Sequence, residues 1–179
     1  MTTSDNDILS TVKADPERGF RLLMDKYKEP VYWHIRRLVT AHADAQDATQ
    51  ETFVRVFRSI DGFRGDSSFT SWVYRIATNE ALRLLSRRNG QHTGLDTEAP
   101  AAKAIAADGY VDYSDLEAVR LQRVILSLPT KQQLAFNLRY YDELTYDEIA
   151  RITDSTAAAA KANYHVAKEK IIEYMNKND

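Results

Sequence analysis

Asp47, Gln50, Glu51 and Arg55 fall at i, i+3, i+4 and i+8, so on a helix they form one polar stripe whose opposite side is apolar. Such a stripe is either a solvated face or a surface that docks on another protein. Downstream, Phe63, Arg64, Gly65, Asp66, Ser67, Ser68 and Phe69 gather two aromatics and an arginine around small hydrogen-bonding residues. That mixture suits a pocket for an unstacked base, whose π face meets an aromatic ring while hydroxyls and main-chain groups meet its pairing edge. Stacking of this kind contributes roughly 1 to 3 kcal/mol per base. The alternative is a glycine turn plugged by buried rings. Arg75, Asn79, Arg83 and Arg87 then recur every fourth residue, a basic stripe with an amide able to read a base edge.

All of this is recognition by charge, hydrogen bond and stacking. His34, His42, His92 and His165 are scattered, and no paired carboxylates, Ser-His-acid set or glycine-rich phosphate loop stands in a recognisable context. The sequence has no cysteine, which excludes disulfides, thiolate metal sites and a cysteine nucleophile. No catalytic residue, metal site or cofactor is therefore expected.

The elements that must position these residues are helices. Apolar positions Phe20, Leu23, Met24, Tyr27, Val31, Ile35 and Leu38 keep a helical period between Asp15 and Val39, and Pro30 predicts a break into two helices there. A helix is expected from near Asp44 to Ile60, with Ala48, Phe53, Val56, Phe57 and Ile60 on one buried face. Gly62 and Gly65 mark the loop after it. The next helix runs from near Phe69 to about Arg88 and should bury Val73, Ile76, Ala77, Ala81, Leu84 and Leu85. Residues 89–112 hold three glycines, Pro100 and an alanine-rich run with no period, and read as a linker. Helical patterns resume over Leu116–Leu128, Thr130–Tyr141, Tyr146–Thr153 and about Ala157–Met175. Thr145 with Glu148 is a capping-box signature, and Ser155 or Thr156 can cap the last helix. The last two helices, joined by a tight turn, suggest a helix-turn-helix. Its second helix would present Thr156, Lys161, Asn163, His165 and Lys168 to a DNA major groove, with Ala160 and Tyr164 turned inward beside Ala167 and Ile171.

The expected architecture is all-α: two small helical domains, residues 1–90 and 115–179, joined by a flexible linker over 91–114. Net charge is −2 over 179 residues. Residues 1–90 carry 14 basic and 12 acidic side chains, residues 91–118 one and six, and residues 119–179 nine and eight. The acid is concentrated in the linker. Near-neutral ends imply that any grip on DNA is weak without a partner. No run of some 18 apolar residues is present and the N-terminus lacks a secretory pattern, so a cytoplasmic protein with no membrane insertion is expected.

The stretch DAQDATQETFVRVF followed by IDGFRGDSSFTSWVYRIATNEALRLLSRR resembles region 2 of the extracytoplasmic-function sigma factors, nearly unbroken from Asp47 to Asn79. LPTKQQLAFNLRYYDELTYDEIARI resembles region 4 of the same sigma-70 family. The resemblance implies a non-enzymatic subunit that directs RNA polymerase to promoters and initiates transcription. Asp47, Gln50, Glu51 and Arg55 would dock on the coiled coil of the polymerase largest subunit. Phe63, Arg64, Ser67, Phe69, Trp72, Arg75, Asn79 and Arg83 would contact the −10 element, with Asn79 at the family's base-reading position and Trp72 near the strand-opening surface. Thr156, Lys161, Asn163, His165 and Lys168 would contact the −35 duplex. The recognition helix departs from the common family wording: residues 157–160 are all alanine, Ala162 and Asn163 replace Ser-Arg, and Val166 replaces an arginine. Fewer phosphate contacts are expected there. Implied partners are core polymerase, promoter DNA and an anti-sigma factor, with the free chain monomeric and its two halves at variable separation. The rival is a free-standing dimeric helix-turn-helix regulator, which would need neither the polar stripe nor the base-capture loop.

Overall fold

A computed structural model describes residues 2–89 and 115–177, and every described element is helical. The linker, residues 91–114, lies outside the described residues. The helices are α1 (Asp5–Ala14), α2 (Pro16–Val39), α3 (His42–Ser59), α4 (Phe69–Asn89), α5 (Leu116–Ser127), α6 (Thr130–Tyr140), α7 (Tyr146–Thr153) and α8 (Ala157–Asn176), with one 3-10 turn at Ile60–Gly62.

Helix α1 was not expected from the sequence. Ser4 and Asp7 close a capping box at its start, and Ile8 and Val12, one turn apart, bury the face that meets α2. The two helices approach at Gly19, where a Cβ would collide with the backbone of Val12. Asp5 then ties the pair to the rest of the half: its carboxylate accepts hydrogen bonds from Lys26 at 2.8 Å and from the Tyr27 hydroxyl at 2.8 Å.

Pro30 does not divide α2. The helix continues from Pro16 to Val39 with Pro30 inside it. Pro30 sits on the exposed face, whereas Tyr27, Val31, His34 and Ile35 form a continuous buried face on the other side. Burial of that face outweighs the cost of one missing N–H, about 3 kcal/mol for an interior proline. In α3, Ala48, Phe53, Val56 and Ile60 are buried as expected, but Phe57 is not: half of it is exposed, as is much of Val54. Helix α4 starts on Ser68, whose hydroxyl accepts from the Ser71 amide, and buries Val73, Ala77 and Ala81. Ile76, Leu84 and Leu85 are only half-buried there, while Tyr74 is buried.

The C-terminal helices follow their local signals. Thr145 and Glu148 form the capping box of α7, and Thr156 rather than Ser155 caps α8 by accepting from the Ala159 amide. Between α7 and α8, Asp154 takes a left-handed conformation at φ 54° to make the tight turn. Ala160, Ala167 and Ile171 are buried and Tyr164 is half-buried, so the inward face of α8 is the expected one. Val124, Ile125, Leu128 and Phe136 close a small core with Ala167 and Ile171.

In this structure the two halves pack against one another. Leu134, Leu138, Leu144, Ile149 and Ile152 belong to the same apolar cluster as Val31, Ile35, Val73 and Ala77. Helix α7 packs on α4, and α6 touches α2.

Candidate promoter and polymerase interface

Asp47, Gln50 and Glu51 are all exposed along α3, as a docking stripe requires. Arg55 differs: it is half-buried and held by two carboxylates, Glu51 at 3.3 Å and the buried Glu80 of α4. Glu80 in turn lies 3.5 Å from Arg83. A chain of alternating charge thus runs Glu51, Arg55, Glu80, Arg83 across α3 and α4. The cleft between these helices has a volume of about 420 Å³ and is lined by Glu51, Arg55, Asn79 and Arg83 among others. A neighbouring cleft of about 340 Å³ sets Asp47 and Glu51 opposite Arg83 and Arg87. The structure therefore brings together two stripes that the sequence assigned to different partners.

On the other side of α3, Gln50 borders an apolar groove of about 690 Å³ whose walls include Phe20, Met24, Phe53, Val54 and Phe57. Phe57 meets Phe20 edge-on at 5.2 Å. An exposed apolar groove beside a polar stripe marks a protein-docking surface more strongly than the stripe alone. The sequence hid it because Phe57 fits the period of the buried face, one residue from Val56.

The loop residues separate into open and closed positions. Arg64 is exposed and Ser67 half-buried. Phe69, expected as a base contact, is buried instead. Its ring stacks on Trp72 at 5.6 Å, receives the edge of Phe63 at 5.4 Å and packs against Tyr27 at 5.7 Å. It acts as the floor of the loop, because its position as the first residue of α4 turns it into the bundle. Phe63 and Trp72 are half-buried and keep an outer surface. Arg75, Asn79 and Arg83 are exposed, so Asn79 keeps its amide free to meet a base edge.

On α8, Lys161, His165 and Lys168 are exposed at i, i+4 and i+7, while Asn163 is half-buried. Thr156 is exposed, but its hydroxyl is committed to the helix cap. His165 stands against the Tyr164 ring at 5.5 Å.

A residue set that sequence reasoning missed lies between the halves. Asp142, which follows α6, accepts a 3.0 Å hydrogen bond from the Tyr74 hydroxyl and sits 3.5 Å from the Arg37 guanidinium. That guanidinium lies 4.2 Å over the Tyr141 ring. Burial pushes the Asp142 carboxyl up to about 6, against the opposing pull of Arg37 and Tyr74. Burial, aided by Arg37, pushes His34 down to about 3. His34 is therefore neutral, bonded to Thr78 at 2.8 Å, and its 3.8 Å approach to Asp142 is not an ion pair.

These shifts have opposite signs in the stability. Asp142, raised in the folded state from 3.8, contributes most below pH 3.8 and loses that contribution as pH rises through 6. His34, lowered from 6.5, adds stability as pH rises from 3 to 6.5. Between pH 4 and 6 the two slopes cancel, so these groups leave the urea-unfolding free energy nearly flat. With Asp142→Asn only the His34 slope remains, and stability should climb by about 1.4 kcal/mol per pH unit over that window. A wild type that already climbs as steeply would show that Asp142 is not raised.

Comparison with known proteins identifies the family. Sigma-70 region 2 matches residues 23–91, and Sigma-70, region 4 matches residues 118–171. The chain is 32% identical over 177 residues to the ECF RNA polymerase sigma-E factor of Escherichia coli (strain K12), a match covering 94% of this chain and 92% of that one. The chain belongs to the extracytoplasmic-function sigma factors. The RNA polymerase sigma-H factor of Pseudomonas aeruginosa is 30% identical over 176 residues, covering 93% and 91%. Among solved structures, CnrH in complex with the cytosolic domain of CnrY has a TM-score of 0.73 at 17% identity, covering 98% of this chain and 99% of that chain. The sigma factor RpoE of Bartonella quintana, solved with the anti-sigma factor NepR, has a TM-score of 0.65 at 18% identity, covering 89% and 98%. This sigma factor thus shares their helical fold, and its targets are core RNA polymerase and promoter DNA. No helix among the described residues is long and apolar enough to cross a membrane.

Proposed function

We propose that this sigma factor acts in the cytoplasm by binding and capture, without catalysis of its own, and that its domains divide the work at residues 1–90 and 115–179. Asp47, Gln50 and Glu51, with Arg55 braced behind them, hold the coiled coil of the polymerase largest subunit, and the apolar groove around Val54 and Phe57 extends that surface. Arg64, Ser67, Phe63 and the outer edge of Trp72 receive an unstacked −10 base, while Arg75, Asn79 and Arg83 follow the non-template strand. Lys161, His165 and Lys168 face the −35 duplex, with Asn163 beside them and Thr156 fixing the helix that carries them. Promoter opening draws on binding free energy, because single-strand contacts exist only in the melted state. An anti-sigma factor is a further partner, supported by the RpoE relative solved with one.

The observation that carries this reading is the α3–α4 cleft, in which an exposed acidic stripe and an exposed Arg-Asn-Arg stripe lie side by side. Run-off transcription with core polymerase, followed by mapping of start sites, tests it directly. No core-dependent transcript from any promoter in a genomic library would reject it.

Within that assay, Asn79→Ala is expected to cost about 1 to 3 kcal/mol of open-complex stability at one −10 position and to relax base preference there. Discrimination unchanged at every −10 position would remove Asn79 from the reading set.

A further inference from the structure

Asp5 opens α1 and lies outside the stretch matched by Sigma-70 region 2, which begins at residue 23. Its carboxylate is nevertheless wired to the start of α4. One oxygen accepts from the Lys26 ammonium at 2.8 Å and from the Tyr27 hydroxyl at 2.8 Å, and the Tyr27 oxygen lies 2.8 Å from the Thr70 hydroxyl. A phenol has a single proton to give. Tyr27 gives it to Asp5, so Thr70 is the donor on the other side, and the chain of hydrogen bonds runs one way from Thr70 through Tyr27 to Asp5. Burial, with Asp5 adding to it against Thr70, pushes the Tyr27 phenol up, so its proton stays in place. The capping box of α1 is closed by Ser4 and Asp7, which leaves Asp5 for this contact.

Thr70 is the second residue of α4, and Phe69 is the first. The Tyr27 ring meets Phe69 edge-on at 5.7 Å. Phe69 in turn carries Trp72 at 5.6 Å and Phe63 at 5.4 Å, and those two rings stand 5.3 Å apart. Tyr27 therefore holds the start of α4 twice, by its ring under Phe69 and by its hydroxyl on Thr70. Rings that must receive a base are useful only if they are fixed to about 0.5 Å, and that task falls to the groups behind them.

We propose that Asp5 is a positioning residue for −10 capture: through Tyr27 and Thr70 it fixes the first turn of α4 and with it the spacing of Phe63 and Trp72, which makes α1 a working part of the promoter reader. The inference rests on the sigma reading above and adds a residue that acts without touching DNA. It accounts for a carboxylate on α1 whose partners all lie on other helices or before its own.

The full-length chain is tested with core polymerase at a temperature where circular dichroism shows every variant folded. Asp5→Ala and Thr70→Val should each lower discrimination among the four bases at one −10 position about fivefold, the loss of one hydrogen bond. Affinity for core should be unchanged. Asp5→Asn, which keeps an acceptor for Tyr27, should restore discrimination, and the double variant Asp5→Ala/Thr70→Val should lose no more than either single. A purely structural role would lower the urea midpoint and leave base preference as it is, which would overturn the proposal, as would additive losses in the double variant. The free chain gives a second measurement. The sequence has two tryptophans, so Trp33→Phe leaves Trp72 as the reporter of the ring stack. In that background Asp5→Ala and Thr70→Val should raise acrylamide quenching of Trp72, and quenching equal to the parent would overturn the proposal. Absence of any core-dependent transcript from the wild type would reject the sigma reading, while Trp72 quenching still decides whether Asp5 fixes the stack.

Discussion

Alanine at both Gln50 and Glu51 is expected to weaken core-polymerase binding about thirtyfold, roughly 2 kcal/mol, with the far-ultraviolet circular dichroism unchanged. Both side chains are exposed on α3, and neither fills the core. Glu51 does pair with Arg55, but that contact is half-exposed and contributes well under 1 kcal/mol to folding. Arg55 also keeps Glu80 when Glu51 is gone. Titration of labelled protein with core enzyme measures the loss. An unaltered dissociation constant would remove the stripe from the interface, and lost helix content would mean that the residues support the fold instead.

Gly19→Ala should have the larger effect on stability, about 2 kcal/mol net of the roughly 1 kcal/mol that alanine gains over glycine inside a helix. The new methyl has no room, because the backbone of Val12 occupies its place. Helix α1 must move off α2, and Asp5 moves with it. Asp5 anchors Lys26 and Tyr27, and Tyr27 packs on the Phe69 ring beneath the loop before α4. A urea titration should show the lower midpoint, and transcription should fall more steeply with temperature than in the wild type. A variant as stable as the parent would mean that α1 adjusts freely and is not a fixed support.

The parts of the fold that were legible in the sequence are those written in short-range signals. Thr145 with Glu148, Thr156, and the apolar periods of α4 and α5 each act within one or two turns, so they announce their helices locally. Helix α1 is short, and its capping pair Ser4 and Asp7 was legible but lies in a stretch with only two buried positions. Pro30 misled because a proline's local cost is visible while the burial of Val31 and Ile35 against other helices is not. Phe57 misled because position in the period does not reveal which neighbour is missing.

For the site, Asp47, Gln50 and Glu51 of the polar stripe and the Arg75, Asn79 and Arg83 series emerged on exposed faces as their spacing suggested, while Arg55 is half-buried against Glu80. Phe69 did not, since its place at the start of α4 fixes it inward. The Tyr74–Asp142 contact joins residues 68 positions apart in the chain. Neither residue has a periodic or motif context that marks it, and only the packing of α4 against the C-terminal half brings them together.

Glu80 is the one carboxylate in the chain of charges across α3 and α4 that is shielded from water. In the proposed reading its two arginines have different duties, Arg55 behind the polymerase stripe and Arg83 on the DNA stripe, so the two surfaces would draw on a single counter-charge. Substitutions at 51, 55, 80 and 83 are then not independent of one another: double-mutant cycles among them should close with a coupling energy rather than with a sum. For a lineage of such proteins this is a constraint on divergence. On the proposed roles, promoter preference would not drift at Arg83 without altering the footing on which the polymerase contact stands, and the two specificities would change together.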